Sequence, residues 1–109
     1  MAGCSPNDSQ GFRLKLKFHP EDVIEAREAR LWYAGRNAAA AEAFVNELDI
    51  GIEKITDNPE MRPLYILGTR RYLFRYFPFA VVYRIKDKVV QIIAVAHGRR
   101  KPGYWKDRL

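Results

Sequence analysis

The side chains able to do chemistry crowd into the last forty residues. Residues 70–109 hold 11 Lys/Arg against 2 Asp/Glu, a net of +9, whereas residues 1–69 hold 8 against 11, a net of −3. The whole basic excess of a chain with formal charge +6 therefore sits at one end. A field so concentrated draws nucleic acid or an acidic protein. Seven of these eleven cations are arginine. The planar guanidinium fork matches phosphate or carboxylate, a geometry that mere solvation of a surface does not need.

Three groups stand out within that segment. Arg70, Arg71 and Arg75 fall on one predicted strand. Alternation there puts Arg71 and Arg75 on one face and Arg70 on the other. The shared face suits either target binding or pairing with an acidic partner. Arg99, Arg100 and Lys101 form the densest basic cluster, read as target-binding, with a solvated tail as the alternative. His97 is an acid/base candidate if its pKa lies near neutrality, although a histidine bonding backbone at a strand end is the expectation. Tyr104 and Trp105 could stack on a base; for Trp105, folding back onto the core is expected instead. His19 precedes Pro20 and reads as a residue that starts a helix. Tyr83 reads as core, and Trp32 and Tyr33 as packing inside a helical hairpin.

Cofactor and metal chemistry find no pattern to rest on. The single cysteine, Cys4, lies in a polar stretch, residues 1–10, read as a disordered tail. It has no partner for a disulfide, and no Cys/His cluster suggests zinc. That stretch lacks the apolar segment of a signal peptide, and no apolar run approaches the roughly 20 residues that span a bilayer. A cytoplasmic location without membrane contact is expected. Residues 11–109 are long enough for one domain with a modest core.

The elements that must position these residues follow from periodicity. Residues 12–18 alternate, with Phe12, Leu14, Leu16 and Phe18 apolar, which predicts a half-buried strand. Pro20, Glu21 and Asp22 open a helix running to about Ala34, with Gly35 as its stop. Asn37 caps a second helix whose stripe is Ala41, Phe44, Val45, Leu48, Ile52 and Ile55, ended by Asp57-Asn58-Pro59. Residues 61–68 read as a loop. Residues 70–77, 79–85 and 89–96 read as strands, with a short turn at 86–88. The third of these late strands is apolar nearly throughout and suits a central position covered on both faces. The order β-α-α-β-β-β predicts an α+β fold, with the helical hairpin on one face of a small, mostly antiparallel sheet.

Four stretches resemble the RelE/ParE toxin superfamily. They are His19-Pro20 leading to Trp32-Tyr33, Phe44 leading to Asn58-Pro59, the block from Arg70-Arg71-Tyr72-Leu73-Phe74 through Pro78-Phe79 to Tyr83, and the closing His97-Gly98-Arg99-Arg100-Lys101-Pro102 with Trp105. Together they cover about residues 12–106. The resemblance implies a toxin bound and neutralised by a small acidic antitoxin, as a hetero-oligomer. It also implies one of two activities: ParE-like members bind and inhibit DNA gyrase, and RelE-like members cut messenger RNA on the ribosome. For the nuclease, Arg71 and Arg100 match basic positions, Tyr104 roughly matches a catalytic tyrosine, and His97 could stand for the histidine of other branches. Leu73 and Ala80 stand where the nucleases carry a lysine and an arginine. Losing one group that stabilises transition-state charge costs roughly 10²–10³ in rate, so two such losses favour the ParE-like branch. Arg71, Arg75, Arg99, Arg100 and Lys101 are then the target-binding set. Arg71, His97, Arg100 and Tyr104 are the set for the nuclease alternative, and a folded domain without toxicity is a third reading.

Overall fold

The computed structural model describes residues 14–109. The expectations for the 1–10 tail, for Cys4 and for the first two positions of the predicted first strand lie outside the described residues. The elements are β1 (Lys15–Phe18), α1 (Pro20–Ala34), α2 (Ala38–Asp57), β2 (Arg70–Leu73), β3 (Phe79–Lys86) and β4 (Val89–His97), with short 3₁₀ turns at Ile66–Gly68 and Lys106–Arg108. The sheet order is β1-β4-β3-β2. Strand β1 pairs with β4 in parallel, and the other two pairings are antiparallel. The chain thus has the expected α+β architecture, with β4 inside the sheet.

Local chemistry accounts for the helix ends. His19 Nδ1 accepts the Glu21 N–H at 3.1 Å, and Pro20 fills the first helical position. Asn37 Oδ1 accepts from Ala39 N at 2.8 Å. Each side chain satisfies a donor the helix cannot satisfy itself. Between β3 and β4 only Asp87 and Lys88 turn the chain, with φ of 54° and 64°. Two consecutive left-handed residues are what a two-residue hairpin requires to match strand twist.

Residue parity sorts the sheet into two faces. On one, Val81 and Tyr83 of β3 and Val90, Ile92 and Val95 of β4 form a core with Phe44 and Ile55 of α2 and Ala29 of α1. Phe44 is wholly buried and meets Phe74, Phe77, Phe79 and Tyr33 at ring-centroid distances of 5.2–5.5 Å. Truncating such a side chain costs roughly 3–5 kcal/mol. On the other face Val82, Ile93 and Ala94 are covered by Trp105, so the tryptophan does fold back. The β3–β4 register shifts between Val82 and Tyr83, where Ala94 and Ile92 are the partners and Ile93 is the extra residue. A bulge of one residue reverses every later side chain. It sends Val95 to the helices and Ala96 to the open face.

Two expectations need correction. The strand predicted over 70–77 stops at Leu73. The Glu47 carboxylate of α2 accepts the backbone N–H groups of Arg75 and Tyr76, and Phe74 N bonds Phe79 O at 2.9 Å, so the chain bends away. Trp32 does not pack in the hairpin. It is 55% exposed under the Arg36 guanidinium at 4.0 Å, while its neighbour Tyr33 enters the core.

Gly51 of α2 is buried where a Cβ would stand 2.8 Å from the Tyr72 ring. Overpacking costs roughly 1–3 kcal/mol, more than the helix gains from alanine, about 1 kcal/mol. Gly51→Ala should therefore lower stability in denaturant melts, and the same change in a Tyr72→Val background should be neutral or stabilising.

Candidate functional site

The open face of the sheet carries a cleft of about 320 Å³. Strand β2 presents Arg71 and Leu73 to it, β3 presents Ala80 and Val82, and β4 presents Ala96. The C-terminal segment supplies the opposite wall with Arg100, Pro102 and Trp105. The floor is apolar and the rim carries two guanidinium groups. Each lies on an aromatic ring, Arg71 on Tyr65 at 4.1 Å and Arg100 on Tyr104 at 3.8 Å. Stacking holds a cation in place while leaving its N–H edge available to an anion.

A second concavity, about 510 Å³, lies on the helix side of the β4 end. It runs between Ala29, Trp32 and Tyr33 of the first helix and Phe79, Val95 and His97 of the sheet, with Arg99 and Arg100 at its rim. His97 lines both concavities. Its Nδ1 accepts the Arg99 N–H at 3.0 Å, and its ring meets Phe79 edge-on at 4.9 Å. Accepting at Nδ1 requires that nitrogen to be unprotonated, leaving Nε2 as the other ring position.

The sequence-predicted residues therefore divide. Arg71 and Arg100 share the cleft, together with Leu73 and Ala80, the two positions that departed from the nuclease pattern. Arg99 belongs to the second groove. Arg75 does not share a strand face with Arg71. It sits in the bend after β2, with its guanidinium 5.9 Å from the Tyr76 ring. Lys101 is exposed and lines neither concavity. Arg70 points to the helix side and donates to the carbonyls of Arg62 and Glu60.

Tyr104 is not offered to a ligand as a stacking platform. Its hydroxyl donates to Glu25 at 2.6 Å, and burial, followed by that bond, pushes its pKa well above the ordinary phenol value. Glu25 and Arg108, which pair through Oε1 and Nη1 at 2.9 Å, were missed in the sequence, as was Asp22. The available signal was the inner stripe of α1, where acidic Asp22 and Glu25 replace the apolar residues a packed helix face normally shows.

The family described as ParE toxin of type II toxin-antitoxin system, parDE, matches residues 16–102. The chain belongs to the ParE toxin family. Among solved structures, this ParE-family chain is similar to one titled chromosomal ParDE TA system from P. aeruginosa, with TM-score 0.69 and 18% identity over 78% of this chain and 96% of that one. It is also similar to an arginine-to-alanine double mutant of E. coli toxin RelE in the free state, with TM-score 0.57 and 16% identity over 80% of this chain and 85% of that one. At such identities the two likenesses speak to the fold. No curated protein matches the sequence. Among the described residues, no group of His, Cys, Asp and Glu could hold a metal ion, and no helix is long and apolar enough to cross a membrane.

Asp22 is 3% exposed, and its Oδ2 has no hydrogen-bond partner. Burial and the nearby Glu25 carboxylate raise its pKa to about 7, against the opposing pull of Arg108. A carboxyl whose folded pKa exceeds its unfolded value stabilises the fold below the unfolded pKa and loses that contribution as pH rises through the folded one. The protein should thus lose stability between pH 4 and about 7.5, on the order of 1–3 kcal/mol. Asp22→Asn should flatten thermal melts across that window and stand above the parent at pH 8.

Proposed function

We propose that this ParE-family toxin acts by binding DNA gyrase and inhibiting it, and that an acidic antitoxin neutralises it. The observation that carries the reading is the cleft floor. Leu73 and Ala80 line it together with Arg71 and Arg100, so an apolar surface and two cations share one cleft. Protein interfaces use that chemistry, with arginines reaching carboxylates around an apolar centre. RNA cleavage would instead need a base for the 2′-hydroxyl, an acid for the leaving oxygen and cations around the phosphorane. Tyr104 is held protonated by Glu25 and is unsuited to act as a base. The net of +9 in residues 70–109 supports an acidic partner, and the ParDE neighbour supports an antitoxin as that partner.

The ribosome-dependent nuclease stays as the alternative because His97 lines the same cleft as Arg71 and Arg100. Supercoiling of relaxed plasmid by purified gyrase, titrated with this protein, separates the two. Inhibition relieved by the product of the neighbouring reading frame is expected. Arg71→Glu should weaken inhibition at least about tenfold through loss of a charge-assisted contact, with little change in melting because the side chain is exposed. Arg75→Glu, outside the cleft, should not. Full supercoiling in the presence of folded toxin, with messenger RNA cut on translating ribosomes and spared by Arg100→Ala, would replace this reading with the nuclease.

A further inference from the structure

Among the described residues, strand β1 pairs with Val89–Ile92, while β4 continues to His97. Past that point side chains take up β4 backbone groups on this edge. Glu25 Oε1 accepts the Val95 N–H at 3.0 Å, and Arg108 Nη1 donates to Ile93 O at 3.1 Å. The same Oε1 takes Arg108 Nη1 at 2.9 Å, and Oε2 takes Arg108 Nη2 at 3.0 Å and the Tyr104 hydroxyl at 2.6 Å. One carboxylate thus receives four donors from two distant parts of the chain. The Glu25 and Arg108 side chains are each only 14% exposed, where charge-assisted bonds are stronger than at an open surface.

The chain of contacts does not stop at the ion pair. The Tyr104 ring that Glu25 holds has two guanidinium groups near it, Arg108 at 5.2 Å and Arg100 at 3.8 Å from its centroid. Arg100 is the second cation of the sheet-face cleft. Its own backbone is tied only locally, with Arg100 N donating to His97 O at 3.0 Å, so the ring beneath the side chain fixes where the charge sits. We infer that Glu25 is a positioning residue for the cleft, acting through Tyr104 to hold the Arg100 guanidinium over the sheet face. The inference rests on the reading of that cleft as the gyrase-binding surface. Arg108 bonds both carboxylate oxygens, at 2.9 and 3.0 Å, and so holds Glu25 in place while Oε2 also takes the tyrosine hydroxyl.

Glutamine at position 25 keeps the shape but loses the chemistry. Its amide offers one oxygen and one donor group where four donors converge, so donors face donors. In the folded parent the Arg100 Hδ protons should be shifted upfield in NMR spectra by the ring current of Tyr104. Glu25→Gln should move them toward their unstacked position and raise the half-inhibitory concentration for gyrase supercoiling about tenfold. Because Glu25 acts through Arg100, the double variant Glu25→Gln/Arg100→Ala should inhibit no worse than Arg100→Ala alone. Tyr104→Phe, which keeps the ring and the Glu25–Arg108 pair, should show part of both effects in a stably folded protein. An unchanged Arg100 shift in Glu25→Gln and Tyr104→Phe, or losses that multiply in the double variant, would overturn the inference. If Arg100→Ala leaves inhibition intact, the reading of the cleft fails, and the Arg100 shift alone then decides whether Glu25 positions it.

Discussion

Strands β3 and β4 are apolar on both faces, and the need to cover both is the constraint on which the rest of the molecule depends. Val81 and Tyr83 of β3 demand the helical hairpin on one side. Val82 and Ala94 demand a second cover on the other. The described residues hold two α-helices for this, and both go to the first face. The second is left to the last dozen residues, which reach it by burying Trp105. That cover is too small for the whole face, and the uncovered part is the cleft. The candidate site is thus the remainder of a packing problem, rimmed by cations from β2 and from the covering segment itself.

The same constraint explains the acidic residues inside α1. The covering segment has a tryptophan anchor but short secondary structure, only the Lys106–Arg108 turn. Glu25 adds an ionic mooring that an apolar side chain at that position would not provide. Its cost appears at Asp22, one helical turn earlier, where a second carboxyl is buried beside the first and its pKa is raised to about 7. Fold stability and site geometry meet at one short stretch of helix.

Much of this was legible from local pattern. Alternation in residues 14–18, the Asn37 cap, the short turn before Val89 and the Asn58-Pro59 stop each act within a few residues, so the sequence shows them. Parity also set Arg70 and Arg71 on opposite faces of β2, as the structure has them. What failed to show was long-range. The end of β2 depends on Glu47, 28 residues before Arg75, and with it went the shared face assigned to Arg75. The bulge at Ile93 sits inside an unbroken apolar run, with no glycine or proline to mark it. Tyr104 read as a free aromatic because its partner Glu25 lies 79 residues away. The exposure of Trp32 was missed because adjacent Tyr33 satisfies the hairpin alone.

On the proposed reading, the cleft with its two stacked arginines and apolar lining is met by another protein's side chains. The most direct test of that account is amide hydrogen exchange of the toxin, free and bound to gyrase. The account predicts new protection at β2 and at residues 96–105, around the cleft, with the outer face of the helical hairpin unchanged. Protection of the hairpin alone, with the cleft exchanging as in the free protein, would contradict it.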